Sequence, residues 1–148
     1  MITYRAMIPL DIPVLVGIEK EIFPESPWSA AQFRGELAGV PKSRKYIVAN
    51  DQSELVGYAG AALAGDVTDI HTLTVLPSHR RMGIATVMLH ELEEWAREKG
   101  SKAIMLEMRE GNLEAQPLYE KSGYRVISRR DNYYAPGIHA LIMRKELV

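Results

Sequence analysis

The fold is decided by residues 72–86, which read Thr-Leu-Thr-Val-Leu-Pro-Ser-His-Arg-Arg-Met-Gly-Ile-Ala-Thr. The segment opens as the end of a strand that starts at residue 67, and Pro77 ends that strand because proline has no N–H to donate to a sheet. From Gly83 onward, apolar side chains recur at helical spacing, and Gly100 supplies a stop. The stretch therefore predicts a strand, a basic loop that contains glycine, and a long helix.

The same spacing analysis, worked outward along the chain, predicts a mixed α/β fold. Strands are predicted at residues 2–5, 45–49, 54–63, 67–75, 102–108, 124–128 and 139–144. Helices are predicted from residue 11 to residues 23–24, at residues 30–37, from residue 83 to residue 100, and up to residues 121–123. Turn-like residues between the early strands predict an antiparallel meander, and the crossover from residue 67 to residue 108 makes its two strands parallel neighbours. We expect one domain over residues 1–148, with a mostly antiparallel sheet, a parallel central pair and flanking helices.

Local signals mark the starts of the first two helices. Asp11 is predicted to cap the first helix with its side chain. Ser29 with Gln32 three residues later is a capping-box pattern, and Trp28 and Phe33 occupy the positions of a hydrophobic staple. The second signal predicts a short helix and gives Trp28 a structural role.

Composition limits the classes of function. The chain has 148 residues, of which 47% are hydrophobic, and its 18 basic and 19 acidic side chains give a formal net charge of -1. This balance argues against a broad nucleic-acid or membrane surface, and no apolar run approaches the roughly 18 residues that a membrane span needs. Because the chain has no cysteine, thiol nucleophiles and thiolate zinc sites are excluded. We expect a cytoplasmic protein that uses no metal ion.

The loop at residues 80–86 has the composition of a phosphate site. The first N–H groups of a helix lack partners within the helix and lie at the positive end of its dipole. Gly83 lets the backbone approach a pyrophosphate closely, Ala85 keeps side-chain bulk small, and Arg80 and Arg81 add positive charge. The same residues also suit a helix start that binds nothing, and the loop alone leaves both interpretations open.

Two motifs together resemble the GNAT superfamily of N-acetyltransferases. One is the Arg-x-x-Gly-x-Ala spacing of Arg80, Gly83 and Ala85, and the other is the run of residues 106–124. Three segments are similar to the enzymes that acetylate the N-terminal alanine of ribosomal proteins, namely residues 26–29, 106–109 and 129–134. The resemblance implies a GNAT acyltransferase domain with acetyl-coenzyme A as co-substrate.

The resemblance also implies which residues bind acetyl-coenzyme A. Its acetyl and pantetheine arm is implied to lie against the strand, and its pyrophosphate against the loop and the first helical turn. The implied binding residues are Leu73, Thr74, Val75, Arg80, Arg81, Met82, Gly83, Ile84, Ala85, Thr86 and Asn112. Asn112 suits the cap of the last predicted helix as well, since asparagine is among the best N-cap residues, and both roles can hold at once.

Glu107 is implied as the general base and Tyr119 as the general acid. Strand alternation puts Glu107 on one face with two apolar residues, where it is the only charged side chain. The alternatives are that Glu107 lies past the buried part of the strand and pairs with a cation, and that Tyr119 is packed with its hydroxyl outward. If Asn112 caps the last helix, Pro117 lies past the first turn, and the helix is expected to begin later or to bend.

The acceptor is implied to enter between the loops at residues 25–29 and 131–137. Trp28, Tyr133 and Tyr134 are then acceptor-binding residues, although two tyrosines before Ala-Pro-Gly also suit a packed turn. An aromatic slot fits an extended peptide end, whose backbone can form hydrogen bonds beside the rings.

The expected reaction is acetyl transfer from acetyl-coenzyme A to the N-terminal α-amine of a protein, such as the N-terminal alanine of a ribosomal protein. An N-terminal amine has an ordinary pKa of about 7.7 to 8.0, so a carboxylate base suffices. With no cysteine to carry an acetyl group, we expect direct attack in a ternary complex. One alternative acceptor is a small amine (a polyamine or an amino sugar) or a lysine side chain. An alternative of another class is a non-catalytic module that binds acetyl-coenzyme A as a sensor or partner.

Overall fold

The computed structural model describes residues 1–148. The strands are β1 (Ile2–Ala6), β2 (Arg44–Asp51), β3 (Glu54–Ala64), β4 (Val67–Val75), β5 (Ala103–Arg109), β6 (Arg125–Ala135) and β7 (Ile138–Glu146). The α-helices are α1 (Ile12–Ile22), α2 (Ala30–Leu37), α3 (Ile84–Glu98) and α4 (Ala115–Lys121). Two short 3-10 helices, at Pro9–Asp11 and Pro77–His79, precede α1 and α3. None of these helices has the length and apolar character that crossing a membrane requires.

The seven strands form one mixed sheet in the order β1-β2-β3-β4-β5-β7-β6. Strands β2, β3 and β4 are neighbours joined by two-residue turns, and such short connections suffice only for antiparallel strands. Strands β5, β7 and β6 are also antiparallel neighbours. Strand β4 runs parallel to β5, with a ladder from Val67↔Ala103 to Asp69↔Met105. The predicted fold class is therefore confirmed, including the parallel central pair.

The chain divides into two compact units. The first comprises Met1–Ala61 and Thr72–Leu89, and its core contains the fully buried side chains Leu15, Phe33 and Tyr58. The second comprises Ala62–His71 and His90–Val148. Its buried side chains include Leu92, Trp95 and Ala96 of α3, Ile104 of β5 and Met143 of β7.

The start of α2 forms as its sequence pattern predicts. The Ser29 hydroxyl accepts the Gln32 N–H at 3.2 Å, and the Gln32 side chain accepts the Ser29 N–H at 2.8 Å. The Trp28 and Phe33 rings pack with their centroids 5.1 Å apart. The capping box and the hydrophobic staple are both confirmed.

The predicted cap at Asp11 is wrong. Asp11 occupies the position before α1, but its carboxylate makes no capping bond to that helix. It instead receives two hydrogen bonds from the Arg5 guanidinium, at 2.8 and 2.9 Å, and one from the Ile8 N–H at 2.8 Å. Burial works to raise the pKa of Asp11, but the bonds from Arg5 and Ile8 outweigh it and leave that pKa below its usual range. A cation six residues upstream thus competes successfully with the helix amides.

Strand β6 is longer than predicted. The sequence indicated residues 124–128, whereas the strand covers Arg125–Ala135 and is exposed throughout. An exposed edge strand has no buried face, so its sequence lacks the apolar alternation that signals a strand.

Candidate active site

The loop between β4 and α3 has an uncommon backbone. Arg81 and Gly83 have φ angles of 63° and 81°, a left-handed conformation that residues with side chains rarely adopt. Residues 80–83 are exposed. The Val87 N–H donates to the Gly83 carbonyl at 3.1 Å, so the amides of residues 84–86 precede the helical ladder and have no acceptor inside α3.

This loop has room for a phosphate group. A Cβ added at Gly83 would meet no atom within 4 Å, so the space beside this backbone is open. Anions are favoured at the N-terminus of a helix because of its unpaired amides and its dipole, and the Arg81 side chain is exposed next to them. These residues fit the pyrophosphate of acetyl-coenzyme A.

Arg80 differs from Arg81 in its contacts. The Arg80 Nε donates to the Val75 carbonyl at 3.2 Å, so Arg80 fixes the loop to the end of β4. His79 connects the same loop to β2, because its Nε2 lies 2.9 Å from Oδ2 of Asp51 at the end of that strand. Sequence reasoning missed this contact, since Asp51 lies 28 residues upstream and no local pattern connects the two side chains.

The residues expected to lie along the acetyl arm alternate in burial. Thr74 is buried, whereas Leu73 and Val75 are half-buried. Gly57 of β3 permits a close approach here, because a Cβ at that position would lie 3.1 Å from the Thr74 carbonyl oxygen. The backbone of β4 is therefore held closely against β3 at Thr74.

In the second unit, Glu107 lies near the end of β5. Its side chain is 38% exposed, and its Oε1 lies 3.6 Å from Nη1 of Arg130. The residues on either side, Leu106 and Met108, are buried on the opposite face. One part of the alternative interpretation holds, because Glu107 pairs with a cation. The other part does not, because Met108, which follows Glu107, is still buried. An accessible carboxylate at a strand end is also what a general base needs.

An aromatic and cationic cluster surrounds Glu107. The rings of Tyr133 and Tyr134 lie 5.2 Å apart and nearly perpendicular. Arg130 lies over the Tyr133 ring at 5.3 Å, and Arg109 lies over the Tyr134 ring at 5.2 Å. Burial raises the pKa of Tyr134, and the negative charge of Glu107 adds to the rise. Both tyrosines keep more than 40% of their surface exposed, so an aromatic surface beside a carboxylate is open to an acceptor.

Tyr119 is only 7% exposed. Its ring meets that of Tyr124 edge to face, with centroids 5.8 Å apart. Burial raises the pKa of Tyr119 to about 12, so the phenol keeps its proton at neutral pH. The alternative interpretation was a packed Tyr119 with its hydroxyl outward, and the packing is what the structure has.

Asn112 forms hydrogen bonds to the turn before the last helix, whose N-cap residue is Glu114. The Asn112 Oδ1 accepts the N–H groups of Glu114 and Ala115 at 3.1 and 3.0 Å. Helix α4 begins at Ala115, later than Asn112 alone would place it. Pro117 consequently falls in the first turn, where its missing N–H removes no helical hydrogen bond. The expectation of a late helix start is confirmed.

The Trp28 ring packs on Phe33, and the backbone N–H of Trp28 donates to Oε1 of Glu19 at 2.9 Å. Trp28 and the predicted cofactor residues from 73 to 86 belong to the first unit. Glu107, Asn112, Tyr119, Tyr133 and Tyr134 belong to the second. Contacts within the second unit bring Glu107 together with Tyr133 and Tyr134, whereas Tyr119 packs on Tyr124.

A profile of the family described as Acetyltransferase (GNAT) matches residues 14–124. The N-alpha-acetyltransferase RimI of Mycobacterium tuberculosis is 31% identical over 98% of this chain and 92% of its own length. A protein of Bacillus subtilis named putative [ribosomal protein bS18]-alanine N-acetyltransferase is 33% identical over 90% of this chain and 87% of its own length. An uncharacterised protein of Mycobacterium leprae is 36% identical over 98% of this chain, which spans 41% of that longer relative.

Solved structures show the same fold. The ribosomal-protein-S18-alanine N-acetyltransferase of Escherichia coli superposes with a TM-score of 0.86 at 23% identity, over 99% of this chain and 94% of the other. An aminoglycoside 6'-N-acetyltransferase complexed with coenzyme A superposes with a TM-score of 0.85 at 21% identity, over 99% of this chain and 97% of the other.

Proposed function

Because the chain belongs to the GNAT family of acetyltransferases, we propose that it acetylates the N-terminal α-amine of a protein. Family membership makes it an acetyl-coenzyme-A-dependent N-acetyltransferase, and the proposal concerns its acceptor and its residues. The observation that carries the proposal is the accessible Glu107 carboxylate beside the exposed Tyr133 and Tyr134 rings. The names of the bacterial relatives favour an N-terminal α-amine, and one of them favours the N-terminal alanine of a ribosomal protein. We propose the cytoplasm as the place of the reaction.

We assign the binding of acetyl-coenzyme A to the strand end and the loop. Leu73, Thr74 and Val75 are proposed to line the acetyl and pantetheine arm. Arg81 and the amides at the start of α3 are proposed to bind the pyrophosphate. Arg80 fixes the carbonyl of Val75 and so holds the strand end in place. When bound, acetyl-coenzyme A supplies an acetyl thioester, which is an electrophile for an amine.

Glu107 is proposed to take the proton of the attacking amine. An N-terminal amine has an ordinary pKa of about 7.7 to 8.0, so a substantial fraction is already neutral at cellular pH. A carboxylate can accept the proton that remains, either directly or through one water. The carboxylate lies beside the Arg130 guanidinium, with Oε1 3.6 Å from Nη1. The neighbouring tyrosine rings suit the first residues of an extended peptide.

Tyr119 is proposed to supply a proton to the leaving sulfur. Its raised pKa of about 12 keeps the phenol protonated at neutral pH. A thiol ordinarily has a pKa of about 8.5, so a proton transfer from Tyr119 is uphill in water. Desolvation of the sulfur makes the transfer less uphill, because burial raises the proton affinity of a thiolate too.

A peptide acetylation assay read by mass spectrometry tests the function. Acetyl-coenzyme A is supplied with peptides that begin with alanine, serine, methionine or glycine and that also contain an internal lysine. Fragmentation then locates the acetyl group. We expect acetylation of the α-amine, sequential kinetics and no stable acetyl-enzyme. Acetylation of the lysine alone contradicts the N-terminal assignment, and binding of acetyl-coenzyme A without any peptide product favours a small amine or a sensor role.

Glu107 and Glu110 offer a matched pair of variants. Each carboxylate is partly exposed, at 38% and 39%, and each pairs with an arginine of β6. Glu107→Gln is expected to lower kcat about 100-fold or more, as for loss of a general base. Glu110→Gln loses only an exposed ion pair and should keep kcat within about a factor of two. Equal turnover by the two variants would remove Glu107 from the base role.

A further inference from the structure

Glu19 of α1 is a buried carboxylate outside the groups discussed so far. It is 3% exposed, and its two oxygens accept from different parts of the first unit. Oε1 accepts the backbone N–H of Trp28 at 2.9 Å, and Oε2 accepts the Tyr58 hydroxyl. Both donors are neutral, so hydrogen bonds alone compensate the desolvation of the carboxylate.

The hydrogen bonds continue from Tyr58 to Thr74 of β4. The Tyr58 oxygen accepts a hydrogen bond from the Thr74 side chain. Tyr58 is fully buried and Thr74 nearly so, hence solvent does not compete for these groups. A chain of three hydrogen bonds therefore runs from the Trp28 amide through Glu19 and Tyr58 to Thr74.

The carboxylate sets the direction of every bond in this chain. An ionised carboxylate only accepts, so Tyr58 must donate its single hydroxyl hydrogen to Glu19. The Tyr58 oxygen is then left to accept from Thr74. Burial raises the pKa of Tyr58 well above its ordinary value, and the bond and charge of Glu19 raise it further, so the phenol keeps the hydrogen that it donates.

We propose that Glu19 is a positioning residue that links the Trp28 segment to β4, so that acetyl-coenzyme A bound along Thr74 orders the segment expected to meet the acceptor. The inference rests on the proposed function, which assigns Thr74 to acetyl-coenzyme A and Trp28 to the acceptor side. A buried chain of this kind transmits a displacement. If Thr74 moves, Tyr58 loses the hydrogen bond that it accepts unless it follows, and if Tyr58 moves, Glu19 loses one of its two donors unless it follows. Residues within one hydrogen-bond network are energetically coupled for the same reason.

Hydrogen exchange of the Trp28 amide tests the link. We expect saturating acetyl-coenzyme A to slow exchange of this amide roughly fivefold or more in the unmodified protein, the lower end of typical coupling between sites. Tyr58→Phe removes the hydroxyl that connects Glu19 to Thr74, so the same ligand should change the exchange rate less than about twofold. Calorimetric titration with acetyl-coenzyme A establishes saturation for each protein.

Tyr46→Phe is the matched control. Tyr46 is also buried in the first unit, and its hydroxyl donates to a glutamate, Glu36, at 2.6 Å. Neither Trp28 nor Thr74 takes part in that bond, so the variant should keep the full slowing by the ligand. Thr74→Val cuts the chain at its other end and should abolish the slowing as Tyr58→Phe does.

Two results overturn the proposal and differ from each other. If Tyr58→Phe binds acetyl-coenzyme A and keeps the slowing at Trp28, the link is wrong while the proposed function stands. If the unmodified protein does not bind acetyl-coenzyme A, the proposed function is wrong and the link falls with it.

Discussion

The two units of the molecule each bury a glutamate that accepts a tyrosine hydroxyl, but they compensate its charge differently. In the second unit, Glu93 accepts the Tyr124 hydroxyl at 2.8 Å and lies 3.1 Å from the Lys145 Nζ. In the first unit, Glu19 is held by the Tyr58 hydroxyl and a backbone amide. One carboxylate has a cation beside it, and the other has neutral donors alone.

The two sets of donors determine which single loss each buried glutamate can tolerate. A buried charge is tolerated when it is paired or fully hydrogen-bonded. Glu93 keeps a cation if its tyrosine is removed, so its environment is robust to that loss. Glu19 depends on both of its donors, and this dependence is what suits it to link two segments. The comparison predicts that the Glu93 site is sensitive to loss of its cation. It also predicts that loss of the tyrosine hydroxyl destabilises the Glu19 site more than the Glu93 site.

Lys145→Met is expected to have the largest effect, a loss of about 3 kcal/mol in the free energy of unfolding, because breaking a buried pair leaves an uncompensated charge. Lys145 is 20% exposed and Glu93 3% exposed at their side chains, so little solvent screens the pair. Urea unfolding measures the loss. The double variant Glu93→Gln with Lys145→Met removes the stranded charge and should recover more than half of it. A double variant as unstable as the single one would show that packing of the lysine stem is what matters.

High pH offers a smaller effect that isolates Tyr119, whose pKa is raised by burial alone. The pKa of about 12 in the folded protein exceeds the ordinary value of 10.0. The stability that this pKa difference contributes to the folded protein is therefore fully present below pH 10 and is lost as the pH rises towards 12. Tyr119→Phe cannot ionise, so between about pH 9 and pH 11 it should lose about 1.4 kcal/mol less than the unmodified protein. Unfolding curves of both proteins at both pH values measure the difference. Parallel losses would mean that the Tyr119 hydroxyl is solvated.

Local signals were readable from the sequence. The capping box at Ser29 and Gln32 spans three residues, and the turn at Gly83 precedes a helix whose apolar spacing is regular. Both were predicted correctly, because every group involved is a near neighbour along the chain. Asp11 was misread since its stronger partner, Arg5, lies on a strand before the helix. The length of β6 was missed because an exposed strand carries no apolar pattern.

The buried glutamates were beyond sequence reasoning for a different reason. Glu19 and Tyr58 are 39 residues apart, and Glu93 and Lys145 are 52 residues apart. On the sequence, Glu93 belongs to an acidic run that is typical of a solvated helix face, yet it is buried. The fold compensates its burial by placing the Tyr124 hydroxyl and Lys145 of β7 beside it. Such pairs depend on the tertiary fold, and no spacing rule specifies them.

The smallest expected effect is the difference in stability between two variants that each lose one tyrosine hydroxyl. Tyr124→Phe removes one donor from Glu93 but leaves Lys145 in place, so a loss of about 1 kcal/mol is expected, as for an ordinary hydrogen bond. Tyr58→Phe leaves Glu19 with the Trp28 amide as its remaining donor and also deprives Thr74 of its acceptor, so a loss of about 2 kcal/mol is expected. The changes are chemically identical, and both tyrosines are buried, so the difference reports on the partners of each glutamate. Urea midpoints measured side by side resolve a difference of about 1 kcal/mol. If Tyr124→Phe is the more destabilising variant, the cation at Glu93 does not compensate the carboxylate as its 3.1 Å distance implies, and the contrast between the two units is wrong.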